Sequence, residues 1–210
     1  MKEIIIDLSN IRTEISFKSF EELRSILSFY EKNSLNKINI PCKTNLKKDF
    51  LLDSIKISRE EFPNIDLIPH FSIYNEFKRD RFKTLNSLIE FIKSVKILGC
   101  NEILLVSGSQ KRLTLDSVST LAYLKEKSLL PNSDFSVGIA FNPYLPRLLF
   151  EEEIVRLKMK LQSGLVKSIW IQFGTDCHLF ESRIQLLKKI VFSAEKAFCN
   201  ESKIHLFGSV

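Results

Sequence analysis

The stretch Glu102-Ile103-Leu104-Leu105-Val106-Ser107 holds four consecutive apolar residues, preceded by Gly99-Cys100-Asn101 and followed by Gly108-Ser109. A short apolar run between turn residues reads as a strand, and apolar residues at both parities mean that both faces of the strand are covered, as in a parallel sheet. Upstream, Leu85, Leu88, Ile89, Ile92 and Val95 recur at helical spacing, which gives an amphipathic helix leading into that strand. The same alternation extends in both directions. Strand-like segments fall at 3–8, 37–41, 66–72, 102–107, 136–141, 168–173 and 203–207, so their starts are 29 to 36 residues apart. Helical spacing fills the gaps, as in Ile184, Leu187, Val191, Ala194 and Phe198.

A strand, a crossing helix and a further strand give parallel pairing with a right-handed crossover. Two α/β architectures have this property, a closed barrel and a doubly wound sheet. The even repeat, and the lack of a glycine-rich dinucleotide fingerprint after any strand, favour a (β/α)8 TIM-type barrel. Seven strands are visible and the last unit is missing. The chain reads as one domain, 1–210, with no linker or low-complexity stretch. The segment 11–17 is read as the first loop, leading to a helix at 19–32. A seven-stranded barrel leaves two sheet edges open, so the expectation is a homo-oligomer or a partner chain that covers them.

Thirty-one Lys and Arg against 25 Asp and Glu give a net charge of +6, but the charges are interspersed. No basic arm points to nucleic acid, while the positive excess suits an anionic small molecule. Apolar runs are too short to span a membrane, and the start lacks the pattern of a signal peptide. The expected location is cytoplasmic. Cys42, Cys100, Cys177 and Cys199 show no paired spacing, so they read as free thiols.

In such barrels chemistry gathers at the carboxyl ends of the strands. On the strand assignments above, those ends are Asp7, Pro41-Cys42-Lys43, Pro69-His70-Phe71-Ser72, Ser107-Gly108-Ser109, Phe141-Asn142, the run from Gln172 to Asp176, and Gly208-Ser209. Gln172, inside Ile169-Trp170-Ile171-Gln172-Phe173, must find hydrogen-bond partners if buried, which favours a ligand or network role. Ser107-Gly108-Ser109 could cradle a phosphate through its amides. Lys160, on periodicity alone, is a solvated helix lysine.

The stretch Leu157-Lys158-Met159-Lys160 with Gly164 and Gln172-Phe173-Gly174-Thr175-Asp176 resembles the helix-strand signature of the methylenetetrahydrofolate reductase family. Pro69-His70-Phe71-Ser72 is similar to that family's Pro-His-Leu-Thr strand end, and Gly99-Cys100-Asn101-Glu102-Ile103 and the segment from Val137 to Pro146 follow in the same order. The resemblance implies a flavoprotein of one-carbon metabolism and methionine biosynthesis. In it FAD sits at the barrel mouth, and hydride passes from NAD(P)H through FAD to 5,10-methylenetetrahydrofolate. It implies that His70 faces the flavin and its phosphates, that Lys160 supplies a cation for the dinucleotide, and that Gln172 hydrogen-bonds the folate pterin or the nicotinamide. Asp7 would stand for the first-strand glutamate that assists protonation of the folate.

Several positions depart from the family pattern, among them Ile171 where threonine is usual and one extra residue between Gly164 and Gln172. Ser107-Gly108-Ser109 falls where the family has Arg-Gly-Asp, so Ser109 replaces a carboxylate, while Phe141 and Cys42 stand for tyrosines. Losing one preorganised charge costs on the order of a hundredfold in rate, whereas cofactor binding is spread over many contacts. A catalytically impaired folate- or flavin-binding homologue is therefore the alternative. A third reading, a metal-dependent barrel enzyme, would draw on Cys42, His70, Cys177, His178 and His205, although no Cys-x-x-Cys or His-x-x-x-His pair supports it.

Overall fold

The computed structural model describes residues 12–42, 47–76, 80–107, 115–130, 135–197 and 203–208. Strands and helices alternate: β1 Arg12–Glu14, α1 Phe20–Lys32, β2 Lys37–Ile40, α2 Lys48–Glu61, β3 Asp66–Ser72, α3 Arg81–Ile97, β4 Glu102–Val106, α4 Ser117–Glu126, β5 Ser136–Phe141, α5 Arg147–Leu161, β6 Val166–Ile171, α6 Cys177–Ala197 and β7 His205–Gly208. All described pairings are parallel and the strand order is β1-β2-β3-β4-β5-β6-β7. Sequential order rules out a doubly wound sheet, whose order reverses at a switch point. The sheet curls into a nearly closed α/β barrel of the TIM type. Among the described residues β7 pairs only with β6 and β1 only with β2.

Local chemistry sets the helix ends. Ser19 accepts the Glu22 amide at 3.2 Å, Asp80 the Lys83 amide at 2.9 Å, and Asp116 with Ser119 forms a reciprocal capping box on α4. Gly99 and Gly164 follow α3 and α5 at φ of 82° and 73°, the left-handed turn that ends a helix cheaply only at glycine.

The first strand corrects the sequence reading. β1 is Arg12–Glu14, inside the segment read as a loop, and the strand expected at 3–8 lies outside the described residues. Arg12 pairs with Lys37 and Glu14 with Asn39, and the Ile15 amide donates to the Asn39 carbonyl at 3.0 Å. The remaining six strands fall where the pattern put them, with ends shifted by one or two residues.

Strand parity divides the core. Ile38, Ile40, Leu67, Phe71, Ile103, Leu105, Val137, Ile139, Phe141 and Ile169 point outward and form, with the helices, one large apolar cluster. The barrel interior is different. Among the described residues its apolar cluster is Ile68, Leu104 and Trp170, flanked by Val106 and Phe207. Polar side chains occupy the rest of the interior, and the site lies among them.

Candidate functional site

A cavity of about 410 Å³ opens inside the barrel, lined by residues of six strands and the loop after β6. Arg12 and Glu14 come from β1, Asn39 from β2, His70 from β3, Leu104 and Val106 from β4, Ala140 from β5, Trp170 from β6, and Gln172 with Phe173 from just beyond it. The strand residues named here are there because their parity faces inward at their level.

Below the cavity lies a fixed polar floor. The Trp170 indole donates to Ser168 Oγ at 2.9 Å, and the Ser168 hydroxyl donates to the Glu102 carboxylate. Because an indole N–H cannot accept, the chain runs in one direction only and requires an acceptor at Glu102. Burial raises the Glu102 pKa, against the hydrogen bond from Ser168 and the charge of Arg12, which lower it. Gly138 makes the floor possible, since a Cβ there would lie 2.6 Å from Ser168 Oγ and 2.9 Å from both Glu102 Oε1 and Trp170 Nε1. The indole is stacked on Phe207 at 4.5 Å and carries the Arg12 guanidinium 5.8 Å from its ring centre. Arg12 donates to the Ile38 carbonyl at 3.0 Å and to both the carbonyl and the carboxylate of Asp66.

His70 is buried, and burial pulls its pKa from 6.5 to about 4. Its Nδ1 lies 3.9 Å from the half-exposed Glu14 carboxylate, too far for a hydrogen bond and too well solvated to offset the burial. The imidazole is therefore neutral at pH 7. Four buried side-chain polar atoms lack a hydrogen-bond partner among the described residues, and three of them, Arg12 Nε, Asn39 Oδ1 and His70 Nε2, belong to cavity-lining residues.

The expected site residues divide accordingly. His70 and Gln172 share the cavity. Gln172 is exposed at the rim rather than buried, so the argument from burial fails while the location holds. It also lines an adjoining apolar pocket of about 210 Å³ with Tyr144, Phe173 and Phe180. Lys160 does not reach the mouth. It is buried on the inner side of α5, its ammonium 3.3 Å from Glu153, and burial lowers its pKa. It is thus neither a dinucleotide cation nor a solvated lysine. Phe141 faces the helices, 6.0 Å from the Phe150 ring, because Ala140 takes the inward parity.

Ser107 fixes the start of α4, its hydroxyl donating to Ser117 Oγ at 2.9 Å and accepting the Ser117 amide at 3.0 Å. Asp7, Gly108 and Ser109 lie outside the described residues. Among the described residues no three His, Cys, Asp or Glu side chains gather as metal ligands, so the set drawn from Cys42, His70, Cys177, His178 and His205 is not assembled. Cys42, Cys100 and Cys177 are free thiols, and no described helix is long and apolar enough to cross a membrane.

Arg12, Glu14, Asn39 and Trp170 were not anticipated. Asn39 did carry a signal, a lone amide between Ile38 and Ile40.

No family model matches the chain, and no curated protein matches it. Among solved structures it is similar to dihydrodipicolinate synthase from Agrobacterium tumefaciens, at 12% identity over 97% of this chain and 72% of that one, with a TM-score of 0.60. It is also similar to 2,3-dimethylmalate lyase, a member of the PEP mutase/isocitrate lyase superfamily, at 10% identity over 96% and 75% of the two chains, with a TM-score of 0.58. At these identities the likeness carries the fold and not the chemistry: the chain is an α/β barrel of the TIM type.

Proposed function

We propose that the barrel interior binds a flat, uncharged nitrogen heterocycle through Asn39, His70 and Gln172. Within that class the resemblance favours the ring system of a flavin or a folate. The observation that carries this reading is the pair of unpartnered polar atoms, Asn39 Oδ1 and His70 Nε2, on the wall of one cavity. An unmet buried donor or acceptor costs about 1–3 kcal/mol, and a ligand with matching ring N–H and C=O groups removes that cost. The charge of the ligand follows from its neighbours. Arg12 is committed to Asp66 and His70 is neutral, so these groups suit an uncharged ring better than a phosphate.

On the resemblance, the activity is that of a flavin-dependent oxidoreductase, with FAD as cofactor, NAD(P)H as electron donor and 5,10-methylenetetrahydrofolate as acceptor. The flavin, when bound, supplies hydride transfer. His70, Asn39 and Gln172 orient the ring. Glu14, at the end of β1 and on the cavity wall, takes the acid-base place first expected of Asp7. The phosphates of FAD would need other partners than Lys160 and Ser107, which are engaged elsewhere. Residues 43–46, 77–79 and 108–114, which follow β2, β3 and β4 in the chain, lie outside the described set.

A second reading, binding without efficient turnover, is favoured by the short supply of acid groups, since Glu14 is the one carboxylate among the described cavity-lining residues. Trp170 is the only tryptophan in the sequence and lies in the cavity wall, so its fluorescence reports occupancy directly. Titration with FAD and with a reduced folate is expected to quench it, and Asn39→Ala or His70→Ala is expected to weaken binding by about tenfold. Reoxidation of bound reduced flavin by methylenetetrahydrofolate, abolished by Glu14→Gln, separates the oxidoreductase from the binding protein. Fluorescence indifferent to both ligands would overturn the proposal.

A further inference from the structure

The outer face of α5 carries a pattern that the mouth cavity does not use. Leu148, Val155 and Met159 are spaced by seven and four residues, which sets them in one line along a helix. Their exposures are 76%, 53% and 50%. Single exposed apolar residues need no explanation, but here the stripe runs beside a groove of about 560 Å³ between α5 and α6. Leu161, Ile190 and Ala194 floor it, and Lys158 and Lys189 edge it. An apolar line beside an apolar groove is the signature of a docking face. This surface is separate from the strand edges of the barrel.

We propose that α5 is a dimerisation helix, packing antiparallel on α5 of a second copy of this chain about a two-fold axis at Val155. The order of charges along α5 selects the occupant. Its first half carries Glu151, Glu152 and Glu153 with one cation, Arg147, and its second half carries Arg156, Lys158 and Lys160. In an antiparallel pair centred on Val155, residue 151 of each copy comes level with residue 159 of the other, which leaves Glu151 one position from Lys158 of the other copy, on the flank that also faces the groove. A parallel pair would set Glu151 against Glu151 and Lys158 against Lys158. Opposed charges give register and orientation, and a two-fold axis uses the same favourable contact twice and then closes. Among the described residues Glu151 is otherwise held by Arg147, in an exposed i,i+4 pair at 3.2 Å, an interaction weak enough to be exchanged. Val155 meets its own copy at the centre, while Leu148 and Met159 extend the apolar seam on either side.

The test is sedimentation velocity of the full chain over a concentration series, with circular dichroism to confirm folding. A monomer–dimer equilibrium is expected. Val155→Glu is expected to leave only monomer with an unchanged helical spectrum. Glu151→Lys and Lys158→Glu should each weaken dimerisation by about tenfold or more, and the double reversal should restore it. A protein that stays monomeric at every concentration overturns the proposal. So does a dimer that survives Val155→Glu, or one that the double reversal fails to rescue.

Discussion

Replacing His70 by glutamine keeps a neutral polar side chain inside the barrel and removes a buried titratable base. Burial brings the His70 pKa from 6.5 to about 4. A base whose folded pKa is depressed is neutral in both states above pH 6.5 and is protonated first in the unfolded state below it. Stability from His70 is therefore complete above about pH 6.5 and is lost as the pH falls towards 4. The fall from 6.5 to about 4 corresponds to about 3 kcal/mol. Urea denaturation of the natural chain and of His70→Gln at a series of pH values measures the difference directly. At pH 7 the natural chain should lead by a constant margin. Between pH 6.5 and 4 that margin should shrink by about 1.4 kcal/mol for each pH step, until it has lost about 3 kcal/mol. Two stability curves that run parallel from pH 7 to pH 4 would refute the reasoning, because His70 would then titrate alike in both states and could not be desolvated. The same experiment bears on binding, since a ligand that donates a hydrogen bond to Nε2 lowers the imidazole pKa further and should extend the loss below pH 4.

The floor under the cavity yields two more expectations. Burial raises the Glu102 pKa, so the folded state holds a proton that the unfolded state releases, and stability falls as the pH rises through that window. Glu102→Gln keeps an acceptor for the Ser168 hydroxyl and has no charge to desolvate. It should be at least as stable as the natural chain at pH 7 and lose that advantage below about pH 4, and a clear destabilisation at pH 7 would show that the carboxylate is needed as an anion. Gly138→Ala puts a Cβ 2.6 Å from Ser168 Oγ. It should cost about 1–3 kcal/mol in thermal or urea denaturation and shift the Trp170 emission, and adding Ser168→Ala should recover part of the loss; an unshifted spectrum would mean that the indole is not held by that network.

Six of the seven strands were legible because their outward faces are packed by helices and read as Ile, Leu, Val or Phe. β1 was not, for a physical reason. Its inward residues are Arg12 and Glu14 and its outward ones Thr13 and then Ile15, so it shows alternation but no apolar run, and beside the far more apolar segment 3–8 it stands too close for a crossover helix. A strand that contributes mainly to a polar interior loses to a more apolar neighbour in a hydrophobicity reading. The mistaken site residues have a different origin. A strand end fixes the level of a residue along the barrel, but the parity of the residue fixes the face. Phe141 was at the right level and the wrong parity, with Ala140 facing inward in its place.

Parity would also have found residues that level alone missed. Counting inward in twos from Gln172 gives Trp170 and Ser168, both in the interior network, and Asn39 is the inward residue of Lys37-Ile38-Asn39-Ile40 by the same count. Lys160 was legible too: helical spacing places it beside Leu157 and Leu161 on the buried side of α5, so the reading of it as a solvated lysine put it on the wrong face. What no count could supply is the floor itself. Between Val137 and Gly138 the pairing of β5 with β6 shifts register, so that Val137 faces Val166 while Gly138 faces Ser168. That one-residue irregularity sets Ser168 against the bare Cα of Gly138 and within reach of Glu102. The polar floor thus depends on a bulge and a missing side chain, neither of which leaves a periodic trace in the sequence.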